Sequence, residues 1–314
     1  RFIGETDLQT KNSMTQTYLK KVVQNKGKIF TSTNAKKIFF KKNVWNINIE
    51  QYGINKTIRC KNLFLCCGAM HTNSLLLKSP VSRGKRKTIR KFYLHPMIKA
   101  LAKYPENIQK MNSDITPLQL TEYYPNYIIG NAASSLQFQL MPFYSDKNLT
   151  KLIKDNFKKT IIFHSTFSLG FGKIFNIPFI KDTVPTYFLS KNEKTQMHAG
   201  FQELISFIKR SGAEYIIPMT KTIKEPVYFE KLKNDPSYLK NSISHSLSAV
   251  HIMGGVTSGE KKGCVVDSYG KFSGHKNLFV NDSSLINSKL LKNPQGTVLI
   301  IALRNIDNFL SNYK

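Results

Sequence analysis

The chain has 314 residues, 41% of them hydrophobic, and a formal charge of +28. That length buries a sizeable core in one large or two ordinary domains, and its longest aliphatic run near the end, Val298 to Leu303, is far short of the roughly 18 apolar residues that span a membrane. The charge on its own raises nucleic acid or an anionic membrane as partner. Nearly all of it is lysine scattered through every region, however, and only Ser82 to Lys91 concentrates basic residues with arginine, a run whose default reading is a solvated loop. No specific nucleic-acid partner is therefore expected. Four cysteines, at 60, 66, 67 and 264, form no CxxC and no metal-ligand spacing, so no metal site is expected and a reduced, cytoplasmic compartment fits best. The chain opens on Arg1 rather than methionine, so a preceding segment is expected and the lack of a leader here decides nothing.

Residues 1–20 read as a polar loop and then a helix starting near Thr15 or Gln16, with Tyr18, Leu19, Val22 and Val23 as its apolar stripe. Residues 28–40, 44–50 and 57–69 supply three strands, divided by the turn-prone pairs Lys42-Asn43 and Tyr52-Gly53. Within the third, Asn62 to Cys67 is apolar on both faces, as a buried parallel strand is. Gly68 and Ala69 end it, and Thr72 to Leu77 open a helix. A small residue at the carboxyl end of a strand lets a dinucleotide approach the backbone; a tight turn with no ligand is the equal alternative. From about His95 to Ser242 the chain turns aromatic and proline-punctuated. Residues 117–125, 134–142, 160–172 and 185–190 read as strands of an antiparallel sheet, and 197–216 as an amphipathic helix with Gly212 after its last turn. Gly170-Phe171-Gly172 begins a dinucleotide fingerprint, but Phe175 stands where the third glycine belongs, and the match is rejected.

The stretch from Ser244 to Ile306 carries the chemistry. His251 sits in an apolar run ending in Gly254 and Gly255, a turn and strand lead to Asp282, and Asn293 stands before Pro294, Gln295, Gly296 and Thr297 at the start of an apolar helix. Oxidising an alcohol needs a group to accept the hydroxyl proton while hydride leaves carbon, and because no side chain takes hydride a cofactor must. Histidine suits the proton step, its ordinary pKa of about 6.5 lying near working pH.

These parts, in this order and spacing, resemble the C-terminal segment of the glucose-methanol-choline (GMC) family of FAD-dependent oxidoreductases, most closely its cholesterol-oxidase-like branch, although Ser258 stands where other branches carry methionine. The resemblance implies a mixed α/β fold. An incomplete Rossmann-like FAD-binding domain, residues 1–94 plus 245–314, would be interrupted by an antiparallel-sheet substrate domain, residues 95–244. It implies FAD as cofactor and a small-molecule alcohol as substrate, sterol-like, aliphatic or sugar, with oxygen, a quinone or a protein as electron acceptor. It makes His251 the residue that takes or orients the hydroxyl proton, with Asn293 beside it. Asn293 also reads as a plain N-cap with proline at N1, and the two readings are compatible, since a cap aims the positive helix end at whatever lies in front of it. Glu122 matches a glutamate on a substrate-domain strand, or else is a solvent-facing strand carboxylate. The resemblance places cofactor contacts at Ala35, Cys67, Gly68, Asp282, Pro294 and Gln295; Asp282 meets the pyrophosphate through its backbone, or else only shapes a turn. The family's dinucleotide fingerprint is not among these residues, so the chain alone is expected to hold FAD poorly. The rival readings are a catalytically silent relative and a basic polyanion-binding protein.

Overall fold

Residues 12–109, 118–132, 135–177, 180, 183–219, 225–234 and 247–312 are described by the computed structural model of the protein. The first helix, α1 (Tyr18–Gln24), buries none of its residues; Tyr18, Leu19, Val22 and Val23, expected as its inward stripe, are exposed. Strands β1 (Thr33–Lys41), β2 (Val44–Gln51) and β3 (Ile54–Cys60) form the expected meander. Its two turns work because Lys42, Asn43, Tyr52 and Gly53 all take positive φ, 53°, 61°, 50° and 78°, the conformation whose twist matches a two-residue hairpin. On its inner side Ile38 and Trp45 are fully buried, and the Trp45 Nε1–H donates to the Lys276 carbonyl at 2.9 Å.

The parallel strand is real but short: β4 covers only Leu63–Leu65, and Cys66 and Cys67 lie past its end, before α2 (Gly68–Lys78). The basic run is not a loop. It forms a tight turn and the helix α3 (Arg86–Ile89), anchored by buried Ile89, with Arg83, Arg86, Lys87 and Arg90 solvated. Strands β5 (Lys91–Leu94), β6 (Met97–Lys103), β7 (Gln119–Leu120) and β8 (Tyr127–Ala132) follow.

One expected strand is cut short here and another is overturned. Residues 117–125 keep only β7, because successive turns close at Tyr124 N to Thr121 O and Asn126 N to Tyr123 O. Of the expected strand 134–142, the described residues from 135 on fold as α4 (Leu136–Leu140) and a 3₁₀ turn. Their Leu-Gln-Phe-Gln-Leu alternation looks like a strand, but Leu136, Leu140 and Phe143 share a helical face, and Gln139 turns inward, exchanging hydrogen bonds with Thr160. Leu149 and Ile153 of α5 (Lys147–Asp155) complete that cluster.

The long stretch 160–172 divides into β9 (Thr160–Phe167) and β10 (Phe171–Phe175), which join different sheets. Gly170 takes φ 71° at the break, and a Cβ on Gly172 would lie 2.0 Å from the Phe92 ring, so the Gly-Phe-Gly pair serves chain packing. After β11 (Val184–Phe188), helix α6 (Lys191–Arg210) starts six residues before its apolar stripe does. A capping box sets that start: Ser190 Oγ accepts from Glu193 N–H, and the Glu193 carboxylate accepts from Ser190 N–H. Gly212 follows its end at φ 88°, as expected. The remaining elements are β12 (Tyr215–Pro218), β13 (Val227–Tyr228), α7 (Phe229–Asn234), β14 (Ile252–Met253), β15 (Leu278–Val280) and α8 (Gln295–Asn312).

These elements make two compact units. One holds residues 1–29, 96–168 and 190–249, and its centre is the antiparallel sheet β13-β12-β6-β9-β8-β7. The other holds residues 30–95, 169–189 and 250–314. It contains the meander, the antiparallel sheet β11-β10-β5-β14 and the parallel pair β4-β15. Its core gathers Ile38, Trp45, Leu65, Leu76, Val256, Val266, Phe272 and Leu278. No helix among the described residues is long and apolar enough to cross a membrane.

Candidate active site

Strand pairing positions His251. Ile252 and Met253 of β14 pair antiparallel with Leu94 and Tyr93 of β5, and one further step along that register sets His251 opposite His95. The two Nδ1 atoms are 3.1 Å apart, with the rings edge to face at 79°. A hydrogen bond between two imidazole nitrogens holds one proton, so it suits two neutral rings. The environment supplies that neutrality. Burial, and then the neighbouring His251, push His95 down to about 4, against a weaker upward pull from the Leu290 backbone. Burial also lowers half-buried His251. His95 is only 1% exposed, and its Nε2 makes no hydrogen bond of normal geometry. Reading the sequence missed His95 as a site residue, and its only local signal is a histidine at the end of a short strand.

The backbone leaving His251 is clamped. Asn73 Nδ2 donates to Gly254 O at 2.9 Å, Gly255 N donates to Asn287 Oδ1 at 3.0 Å, and Asn287 Nδ2 donates to Val256 O at 2.6 Å. Gly255 has φ 104°, and a Cβ there would lie 2.1 Å from Asn73 Nδ2. Neither Asn73 nor Asn287 was singled out from the sequence.

Asp282, 8% exposed, closes β15 onto the head of α2. One carboxylate oxygen accepts from Gly68 N at 2.9 Å and from Thr72 Oγ1; the other accepts from Ser284 N at 2.8 Å and Ser284 Oγ at 2.6 Å. With both oxygens engaged twice and the Asp282 carbonyl accepting from Leu285 N, the backbone N–H of Asp282 is the group left for a ligand. Gly68, at φ 76°, has open space where a Cβ would stand. Cys66 and Cys67 beside it keep exposed surface, yet crowding by protein, and then Asp282, push both thiols up, Cys66 to about 12. Neither is a thiolate nucleophile at neutral pH.

Two GMC oxidoreductase family models match the chain, an N-terminal one over residues 2–97 and a C-terminal one over residues 180–302. The chain belongs to the GMC oxidoreductase family. An uncharacterized GMC-type oxidoreductase, y4nJ, of Sinorhizobium fredii is 24% identical over 313 residues, 96% of this chain and 61% of that relative. The crystal structure of pyridoxine 4-oxidase from Mesorbium loti matches with a TM-score of 0.63 at 12% identity, covering 90% of this chain and 58% of that one. That likeness is one of fold, mixed α/β. The chain spans less than two-thirds of the length of these relatives.

In this GMC chain Asn293 is exposed and makes no hydrogen bond among the described residues, so it does not close a cap on its own helix. Pro294 behind it is buried, and Pro294 O accepts from Val298 N at 2.9 Å as the first turn of α8 forms. Gln295, Gly296 and Thr297 are exposed at that turn, where helical N–H groups lack internal partners, and a Cβ on Gly296 would meet open space. Thus His251 is brought to His95, and Asp282 to Gly68, whereas no hydrogen bond joins Asn293 to His251. Ala35 lies in β1 where the register with β2 shifts, half-buried against the core. Glu122 is exposed in a turn, not on a strand, and belongs to the unit built on the six-stranded sheet. Among the described residues no group of three or more His, Cys, Asp and Glu forms a metal site.

Two histidines held neutral make this GMC fold acid-sensitive. His95 titrates at about 4 when folded and near 6.5 unfolded, so between those values the unfolded chain binds the extra proton. Stability therefore falls as pH falls through that window, by ~1.4 kcal/mol per pH unit from His95 alone, and His251 adds in the same direction. Urea midpoints at pH 7 and pH 5 measure this. Expected is a lower midpoint at pH 5, with a smaller drop in His95→Asn protein; equal drops would show that His95 is not the group responsible.

Proposed function

We propose that this chain carries the proton-handling residues of an FAD-dependent enzyme that oxidises an alcohol CH–OH group to a carbonyl. The observation that carries this reading is His251, held neutral immediately before β14 in the region matched by the C-terminal family model. A neutral imidazole accepts the hydroxyl proton; a cationic one does not. The ring nitrogen that acts is Nε2, since Nδ1 is engaged with His95. Asn293, with an uncommitted amide, orients the hydroxyl.

The residues present fit a flat cofactor with an electron-accepting edge. Gly68 and Gly296 offer open backbone, and the first turn of α8 presents N–H groups that stabilise negative charge. Contacts with FAD are assigned to Ala35, Cys67, Gly68, the Asp282 backbone, Pro294 and Gln295. When bound, the flavin takes the hydride that leaves the alcohol carbon. Of the two units, the one with the six-stranded sheet is assigned to substrate, with Glu122 as a candidate contact. A sterol-like, aliphatic or sugar alcohol is the substrate class, and oxygen, a quinone or a protein the final acceptor.

The test is anaerobic mixing of the protein, in a form that retains FAD, with a sterol, aliphatic alcohols and sugars. Bleaching of the flavin by one of these classes is the expected result. Bound flavin that none of them bleaches would indicate a silent relative, and retention on polyanions without flavin binding a basic module.

A further inference from the structure

An Nδ1-to-Nδ1 hydrogen bond poses a choice that neither histidine makes alone. Imidazole in water favours the tautomer with its proton on Nε2, yet one of these two rings must carry it on Nδ1 to fill the 3.1 Å gap. If His95 is the donor, His251 keeps its proton on Nε2 and has no lone pair to offer a substrate. If His251 is the donor, its Nε2 is bare.

The surroundings of His95 decide between these. Its ring is buried, its Nδ1 is taken by His251, and Nε2 is the nitrogen left over. The other polar neighbour acting on the ring is the Leu290 backbone, which favours a proton on it, as an acceptor does and a donor does not. That acceptor favours a proton on the nitrogen His251 leaves over, His95 Nε2, although Nε2 makes no hydrogen bond of normal geometry; a bare Nε2 would be a buried acceptor with no donor. With Nε2 protonated, His95 Nδ1 is the acceptor.

We infer that His95 is a positioning residue that accepts the Nδ1–H of His251, holding His251 in the Nδ1–H tautomer with Nε2 bare and aimed away from the pair. Its catalytic consequence rests on the alcohol-oxidising function proposed above, but the tautomer itself does not. A base whose proton sits on the wrong nitrogen loses most of its power, as the Asp-to-Asn change in serine-protease triads shows. The second histidine here does for a base what that carboxylate does, without adding a buried charge.

Long-range ¹H–¹⁵N correlation spectra of histidine-labelled protein at neutral pH read the tautomer directly, with His251→Ala identifying the signals. Expected is His251 protonated on Nδ1 in the unaltered protein. His95→Asn, whose amide oxygen can still accept, keeps that tautomer, and His95→Leu, which cannot, returns His251 to Nε2–H. His251 found as Nε2–H in the unaltered protein overturns the inference, as does an Nδ1–H that survives His95→Leu. The spectrum of the unaltered protein decides the matter even if the leucine variant does not fold. Flavin reduction measured on the same proteins tests the separate catalytic reading. There His95→Leu is expected to lose ~10²- to 10⁴-fold in rate and His95→Asn much less. An unaltered tautomer with no alcohol-dependent reduction would remove the function and leave the positioning role standing.

Discussion

His251→Ala is expected to slow flavin reduction by the alcohol by ~10²- to 10⁴-fold, the usual loss when a general base is removed, while flavin stays bound and the protein stays folded. The side chain is half-buried and its one hydrogen bond goes to His95, so removing it leaves a single buried nitrogen short of a partner, at a cost of about 1–3 kcal/mol. That loss is visible in a melting curve but does not unfold the chain. His251→Gln keeps a hydrogen-bonding group without basicity; it should recover little if proton removal limits the rate and much if orientation does. Asn293→Leu should also slow reduction. Because both side chains would serve one transition state, the double variant should be little worse than the poorer single one. Asn293 makes no hydrogen bond among the described residues, so Asn293→Leu should leave stability within about 0.5 kcal/mol, as a surface substitution does. Normal reduction rates in folded His251→Ala protein would end the catalytic assignment.

Asp282→Ala should cost at least ~3 kcal/mol of stability, because it strands donors of Gly68, Thr72 and Ser284 together in a nearly closed site. The strand-to-helix turn at Gly68 then loses its tie to β15, and cofactor retention should fall with it. Asp282→Asn should fall between the two, since its amide keeps one acceptor while turning an N–H₂ toward groups that also donate. Urea unfolding at pH 7 measures both. A loss near 1 kcal/mol for the alanine variant, the scale of one lost cap, would mean that Asp282 only shapes its local turn.

How far the site was legible follows from how local each signal is. The hairpins at Lys42-Asn43 and Tyr52-Gly53 were readable because positive φ is written in the residues that tolerate it. The Gly68 turn was readable for the same reason, and the Ser190-Glu193 capping box was there to be read and sets the start of α6. Residues 134–142 were misread because alternation assumes that glutamine points outward, and Gln139 points inward to Thr160. Asp282 was read as a turn or backbone contact, since its bonds to Gly68 and Thr72 cross 214 and 210 residues. His95 stayed hidden for the same reason: what makes it part of the site is the register of β5 with β14, and no short window contains both strands.

That register has a consequence for how the chain becomes a protein. The unit holding His251 is drawn from three separated stretches of sequence, and its ties are long: Trp45 to Lys276 spans 231 residues, and β4 finds its parallel partner only at Leu278. During synthesis, residues 30–95 lack these partners until the last described strand, β15, has emerged. The unit on the six-stranded sheet ends earlier, and its β6-β9 and β8-β9 pairings run among nearer neighbours, although β12 reaches back to β6 across more than a hundred residues. Loop closure over such distances is slow, and half-finished apolar faces attract one another. The arrangement that places one histidine against another thus lengthens the time for which the newborn chain shows unpaired apolar surface.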